Sequence, residues 1–133
     1  NESLHAKDGF QLIASYNPGY QRGLKKLKPS TLQRFVSLDF TYPSAEIETE
    51  IVSQESSLDL KRVKKLIAFS EHIRTLGELN LTETVSTRLI INTAKLIKSG
   101  VEERTAVITG MTNPLSDDSE ISNSLKDLVS LKF

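Results

Sequence analysis

The sequence predicts a mostly α-helical protein in which two short strands precede a bundle of four to five helices. Two observations support this fold class. Residues 10–15 and 35–42 are short and rich in β-branched and aromatic side chains, as strands are. After Pro43, apolar residues recur at helical spacing between Ser, Thr or Asp starts and Gly stops. The change of pattern predicts a boundary between two domains, residues 1–42 and residues 43–133.

The two predicted strands are "FQLIAS" (10–15) and "FVSLDFTY" (35–42), and the second alternates through Val36, Leu38 and Phe40. Two strands alone do not make a stable sheet in water. We therefore expect the first domain to need further strands from elsewhere.

The helices are predicted from their start and stop signals. "PSAEIETEIVSQES" (43–56) opens with Pro-Ser and acidic residues, which the helix macrodipole favours. The segment 58–77 begins after an Asp59 cap and stops at Gly77, and the segment 82–100 has a Ser/Thr start and stops at Gly100. Two shorter helices are predicted at 102–111 and 117–133, the latter capped by Asp117.

Composition limits the possible functions. The 133 residues, 38% of them hydrophobic, suit one ordinary domain or two small ones. The absence of cysteine excludes disulfides and thiolate metal sites, and fits a cytoplasmic protein. No apolar run approaches the roughly 18 residues of a membrane span, and no leader sequence is predicted. His5 and His72 are far apart in the sequence, so no metal site is predicted.

The net charge is zero but unevenly distributed. Residues 1–42 hold six Lys/Arg against three Asp/Glu, and the remainder hold eleven against fourteen, which gives +3 and −3. The segment 22–34 carries five cations without a carboxylate. It allows a phosphate- or nucleic-acid-binding domain as an alternative function, although zero net charge and scattered aromatic residues make nucleic acid an unfavoured partner. A helical protein-interaction module is the other alternative.

Three polar residues stand at candidate functional positions. Asn17 closes the first predicted strand in "IASYNPGYQ", and a strand's carboxyl end faces the ligand crevice of open α/β sheets. Arg34 precedes the second strand. Arg88 lies in the first turn of a helix, where a cation opposes the helix dipole and is expected to meet an anion. These residues by themselves do not make a complete active site.

Four stretches resemble a known family: "FQLIASYNPGYQ", "LKPSTLQRFVSLDFTYPSAEIETEIV", "STRLIINTAKLIKSGV" and "NPLSDDSEISNSL". They are similar to the C-terminal part of MoxR-type AAA+ ATPases, in the branch of CbbQ, NorQ, NirQ and GvpN. Members of this branch are activation chaperones of Rubisco, nitric oxide reductase and related targets. The resemblance covers nearly the whole chain from about Phe10.

The resemblance implies a role for each candidate residue. Asn17 matches sensor 1, which positions the attacking water, and Arg34 matches the arginine finger presented to a neighbouring subunit. Both would be catalytic. Arg88 matches sensor 2, a nucleotide-binding arginine carried by the helical lid. On this reading, residues 1–42 are the remnant of an AAA+ α/β domain and residues 43–133 are its lid.

The resemblance also implies cofactors and partners. ATP and magnesium would bind the full-length protein, whose phosphate loop and acidic pair would lie upstream, so the 133 residues alone are expected to bind no cofactor and to be inactive. The expected partners are identical subunits in a hexameric ring, a von Willebrand A-type adaptor and a client enzyme complex. The two strands without their neighbours are expected either to pair abnormally, as in a strand-mediated dimer, or to be partly disordered.

Overall fold

The computed structural model describes residues 5–15, 28–76 and 84–133. The chain divides into two compact units, Asn1–Asp39 and Phe40–Phe133. In its described residues, 5–15 and 28–39, the first unit contains one short helix, α1 (Pro29–Leu32). The second unit contains the remaining α-helices of the described residues: α2 (Ala45–Ser56), α3 (Leu60–Thr75), α4 (Thr87–Lys98), α5 (Glu103–Val107) and α6 (Ser119–Lys132). The prediction of a mostly helical protein is confirmed.

The two predicted strands are absent from the described residues. Neither residues 10–15 nor residues 35–42 form a strand. Their apolar side chains lie in solvent, and Val36 and Phe40 are 90% and 92% exposed. A strand obtains its backbone hydrogen bonds from a neighbouring strand, and no described segment supplies one. The prediction of a two-strand remnant is therefore not borne out in the described residues, although the local composition is that of strands.

Helices α2 and α3 begin where the sequence signals predicted, whereas α4 begins at Thr87, inside the segment predicted from residue 82. The Ser44 hydroxyl accepts a hydrogen bond from the Ile47 amide at 3.4 Å, and the Asp59 carboxylate accepts one from the Arg62 amide at 3.1 Å. Ser86 caps α4 in the same way. Each cap satisfies an amide that the first helical turn leaves without a partner. Gly100 follows α4 with a φ of 100°, the left-handed conformation expected of a Gly stop, whereas Gly77 lies outside the described residues.

Two features near the end of the chain differ from prediction. Helix α6 is capped by Asp118, which accepts hydrogen bonds from the amides of Glu120 and Ile121 at 2.8 and 3.2 Å, and not by Asp117. The segment predicted as one helix at 102–111 is α5 followed by a π-helical turn, Ile108–Thr112, and then a 3₁₀ turn, Asn113–Leu115. Pro114 prevents the helix from continuing there, since it has no amide hydrogen to donate.

The hydrophobic core described here belongs to the second unit. Helix α2 packs against α3 and α4, α4 packs against α5 and the π-helical turn, and α6 packs against the same turn. Because the apolar stripes of these helices face one another, they bury a continuous set of side chains. Its largest fully buried apolar members are Val52, Val63, Leu66, Ile73, Val85, Ile90, Val107, Met111, Leu125 and Val129.

Candidate functional site at the start of helix α4

A charged cluster lies where α2, α3 and α4 meet. Glu48, in the first turn of α2, is fully buried in the same helix that buries Val52. Its two carboxylate oxygens each accept a hydrogen bond from the Arg74 guanidinium, at 2.8 Å from Nη1 and 2.8 Å from Nη2. The hydroxyl of Thr87 donates a third hydrogen bond to Glu48 Oε1 at 2.6 Å. The buried carboxylate is thus hydrogen-bonded on both oxygens, as a buried charge must be.

Arg74 also reaches the segment that leads into α4. Its Nε donates to the Val85 carbonyl oxygen at 2.8 Å. The Arg74 Cζ atom lies over the Tyr42 ring, 3.9 Å from its centre, a favourable cation–π contact. The Tyr42 hydroxyl in turn lies 3.3 Å from the Thr84 hydroxyl oxygen. Arg74 therefore joins the end of α3 to the chain before α2 and to the chain before α4.

The environment of Glu48 favours its ionised form. Burial by itself raises the pKa of the Glu48 carboxyl, because the charged form loses its hydration. The hydrogen bonds from Arg74 and Thr87 and the positive charge of Arg74 act in the opposite direction and prevail. The pKa of Glu48 consequently lies below its ordinary value, and the cluster contains an ion pair at neutral pH.

The cluster fixes the first turn of α4 and leaves Arg88 outside it. Val85 is fully buried, Thr87 is the first residue of α4, and Ile90 is fully buried one turn later. Arg88 lies between these anchors and is exposed to solvent. Among the described residues it makes no ion pair with a carboxylate. A cation in the first turn of a helix is thereby presented to the outside, where it can meet an anionic ligand.

The other two predicted site residues are placed differently. Arg34 is exposed in the turn that follows α1, where its amide donates to the Thr31 carbonyl oxygen at 3.1 Å. It belongs to the first unit, whereas Arg88 belongs to the second. Asn17 lies outside the described residues. The convergence of these three residues on one ligand therefore stays a prediction.

Sequence reasoning missed the roles of Glu48, Arg74 and Thr87. One signal could have revealed them. Glu48 is four residues before Val52, so both side chains lie on the same face of α2 and both face the core. A carboxylate on a buried face requires a cationic partner, and the search for that partner would have led to an arginine at the end of α3.

Two further sequence predictions concern metals and membranes. The described residues contain no group of three or more His, Asp or Glu side chains that could hold a metal ion. Within the same ranges, every helix is too short or too polar to cross a membrane.

Three curated relatives are similar to almost the whole chain. Protein NorQ of Paracoccus denitrificans (strain Pd 1222) is 46% identical over 132 residues, which are 99% of this chain and 49% of NorQ. Denitrification regulatory protein NirQ of Stutzerimonas stutzeri is 42% identical over 132 residues, 99% of this chain and 48% of NirQ. Protein CbbQ of Hydrogenophilus thermoluteolus is 40% identical over 125 residues, 94% of this chain and 47% of CbbQ. The chain spans about half the length of the curated relatives it matches.

The second unit also matches a defined protein family. Residues 48–132 match the family described as CbbQ/NirQ/NorQ C-terminal. The matched segment contains the whole Glu48–Arg74–Thr87 cluster and Arg88, and it extends over more than half of the chain. The resemblance found in the sequence is confirmed by these comparisons, and the chain belongs to the CbbQ/NirQ/NorQ C-terminal family.

Proposed function

We propose that this chain is the sensor and lid portion of an AAA+ ATPase that acts as an ATP-driven activation chaperone. The observation that carries the proposal is the family match over the second unit, together with the exposed Arg88 at the start of α4. In this proposal residues 1–42 are the end of the α/β ATPase domain and residues 43–133 are the lid. The full-length protein supplies the phosphate loop and binds ATP and magnesium.

The chemistry of Arg88 supports a phosphate ligand. Its guanidinium is exposed and presents a planar fork of donors that matches two phosphate oxygens. Phosphoryl transfer depends mainly on positioning and on cations placed where negative charge develops. Arg88 contacts the nucleotide of its own subunit as sensor 2. The position of the lid then depends on which nucleotide is bound.

The two catalytic residues act from the other domain. Asn17 orients the attacking water as sensor 1, since a neutral amide can hold a water without competing for the phosphate charge. Arg34 is the arginine finger and contacts the nucleotide of the adjoining subunit. It is exposed in the first unit and makes no ion pair among the described residues, as a residue that acts across a subunit boundary requires.

The partners follow from this assembly. The full-length protein forms a cytoplasmic hexameric ring and works with a von Willebrand A-type adaptor on a client enzyme complex. The client is a metalloenzyme of the Rubisco or nitric oxide reductase type. The relative NirQ is named a denitrification regulatory protein, which is consistent with a client among the enzymes of denitrification.

Complementation between two inactive variants of the full-length protein tests this function. Arg34→Ala and Arg88→Ala are each expected to lower ATP turnover by about 100-fold or more, because each removes a cation from the transferring phosphate. In mixed rings, an Arg34→Ala subunit with intact Arg88 can receive the finger of an Arg88→Ala neighbour. Turnover should therefore recover on mixing.

The matched control is Arg104→Ala, which removes another exposed arginine of the second unit, in α5. Its turnover should equal that of the unaltered protein. Full turnover in Arg88→Ala, or no recovery when the two inactive variants form mixed rings, would contradict the proposal.

A further inference from the structure

We infer that Glu48 and Arg74 are positioning residues for Arg88, which they hold in place through Thr87 and Val85. This inference rests on the proposed function of Arg88 as a phosphate contact. Neither Glu48 nor Arg74 is itself assigned a contact with nucleotide. Their role is to fix the rotation and the height of the first turn of α4.

The geometry gives the pair two attachments to the chain next to Arg88. The Arg74 Nε donates a hydrogen bond to the Val85 carbonyl oxygen at 2.8 Å, and Val85 is three residues before Arg88. Glu48 accepts a hydrogen bond from the Thr87 hydroxyl at 2.6 Å, and Thr87 is one residue before Arg88. Successive residues of an α-helix are rotated by about 100°. A small rotation of α4 would consequently turn the Arg88 side chain away from its direction, and the Thr87 hydrogen bond opposes that rotation.

The burial of the pair favours a positioning role over a stabilising one. The side chains of Glu48 and Arg74 are only 1% and 11% exposed. When two charges leave water, the desolvation cost roughly cancels their attraction, so well-packed apolar residues would stabilise the core at least as well. An ion pair at this place supplies instead a fixed direction, since the arginine fork and the carboxylate fit in one orientation.

The pair also contacts the chain that enters α2. The Tyr42 ring lies on the Arg74 guanidinium at 3.9 Å, and Tyr42 is two residues before the Ser44 cap. The guanidinium of Arg74 therefore contacts the entry to α2, the carboxylate of that helix and the entry to α4. A shift in any of them is transmitted to the turn that carries Arg88.

A double-mutant cycle in the full-length protein tests the inference. Arg74→Lys keeps the charge but loses the planar fork that bonds both Glu48 oxygens while Nε bonds the Val85 carbonyl. We expect it to weaken binding of a fluorescent ATP analogue by about tenfold and to lower turnover, because Arg88 is misaligned. In the Arg88→Ala background, the same substitution should change the affinity less than about twofold, since no positioned group remains.

A second pair of variants keeps the test usable if Arg74→Lys folds poorly. Thr87→Val removes the hydroxyl at nearly constant shape, whereas Thr87→Ser keeps it. Thr87→Val should weaken binding of the ATP analogue, whereas Thr87→Ser should bind it as tightly as the unaltered protein does. Arg62→Lys is the control, since Arg62 lies on the same helix as Arg74 but pairs with Asp59 and Glu103 at the surface.

The possible outcomes separate the two proposals. If Arg88→Ala leaves analogue binding and turnover unchanged, the proposed function fails and this inference fails with it. If Arg88→Ala is damaging but Arg74→Lys and Thr87→Val weaken binding equally in both backgrounds, the cluster is merely structural. That result overturns the inference and leaves the proposed function standing.

Discussion

The Arg74 guanidinium donates two parallel hydrogen bonds to the Glu48 carboxylate, each 2.8 Å long, although the two residues are 26 positions apart in the sequence. The pair joins the start of α2 to the end of α3 inside the core of the second unit. Removing both charges is expected to cost less stability than removing one, because the first change leaves an apolar core whereas the second leaves an unpaired buried charge.

Removing only the cation is predicted to destabilise the second unit strongly. Arg74→Met should lower the free energy of unfolding by about 3–5 kcal/mol, because the Glu48 carboxylate is left buried without its partner. Adding Glu48→Leu to Arg74→Met should recover most of that loss. Urea unfolding followed by circular dichroism measures both changes.

The control for this prediction is a surface pair. Arg62→Met breaks two surface ion pairs, with Asp59 and Glu103, and should cost only about 0–1 kcal/mol. A double variant as unstable as Arg74→Met alone would show that the loss comes from packing of the arginine and not from the unpaired charge.

Acid should weaken the second unit partly through Glu48. Burial raises the pKa of Glu48, but the hydrogen bonds from Arg74 and Thr87 and the charge of Arg74 outweigh this effect. The folded pKa of Glu48 is therefore lower than its ordinary value of 4.5. A carboxyl with a lowered folded pKa contributes stability that is fully present above its unfolded pKa and is lost as the pH falls through its folded pKa. The free energy of unfolding should therefore decrease as the pH falls below about 4.5.

Replacing the carboxyl removes this contribution. Glu48→Gln should make the unfolding free energy less dependent on pH below about 4.5, at the cost of lower stability near neutral pH. Asp127→Asn, which alters an exposed carboxylate of α6, is the surface control. Equal acid slopes in Glu48→Gln and the unaltered chain would contradict this prediction.

Gly110 allows the π-helical turn to approach α4 closely. A Cβ added there would lie 2.7 Å from the Thr93 hydroxyl oxygen and 3.3 Å from Thr93 Cα. Gly110→Ala should thus lower the free energy of unfolding by about 1–3 kcal/mol through overpacking. Thr93→Ala should relieve part of that cost, because it removes the hydroxyl oxygen that the added Cβ meets. Its removal breaks no hydrogen bond, since the buried Thr93 hydroxyl has no partner in the described residues.

Gly100→Ala is a useful comparison for this prediction. A Cβ at Gly100 meets no atom within 4 Å, but its φ of 100° is unfavourable for alanine. Its cost should be independent of Thr93, and chemical denaturation of the three single variants and the two double variants with Thr93→Ala tests this. If Thr93→Ala relieved both glycine substitutions equally, the contact with Gly110 would not be the cause.

The cap of α6 distinguishes two adjacent aspartates. Asp118 accepts hydrogen bonds from the amides of Glu120 and Ile121, so Asp118→Ala should reduce the unfolding free energy by about 1 kcal/mol. Asp117→Ala removes a carboxylate of the same kind that caps no amide among the described residues. Thermal unfolding should show a lower midpoint for Asp118→Ala alone, and a larger effect of Asp117→Ala would contradict the assigned cap.

The sequence by itself determined that a run of helices follows Pro43. Ser44, Asp59 and Ser86 mark starts that can be identified from neighbouring residues, because a helix satisfies its backbone within its own segment and its caps are a few positions away. The family was determined by the sequence for the same reason, since short contiguous stretches carry the resemblance.

Only the tertiary structure decided what depends on distant partners. Residues 10–15 and 35–42 have the composition of strands, but a strand's hydrogen bonds come from another segment, and none in the described residues provides them. Glu48 has the pattern of an ordinary acidic residue at a helix start, yet packing buries it against Arg74 and Thr87. Local patterns specify helices because their bonds are local, whereas strand pairing and the partner of a buried charge are set by which distant segments the fold brings together.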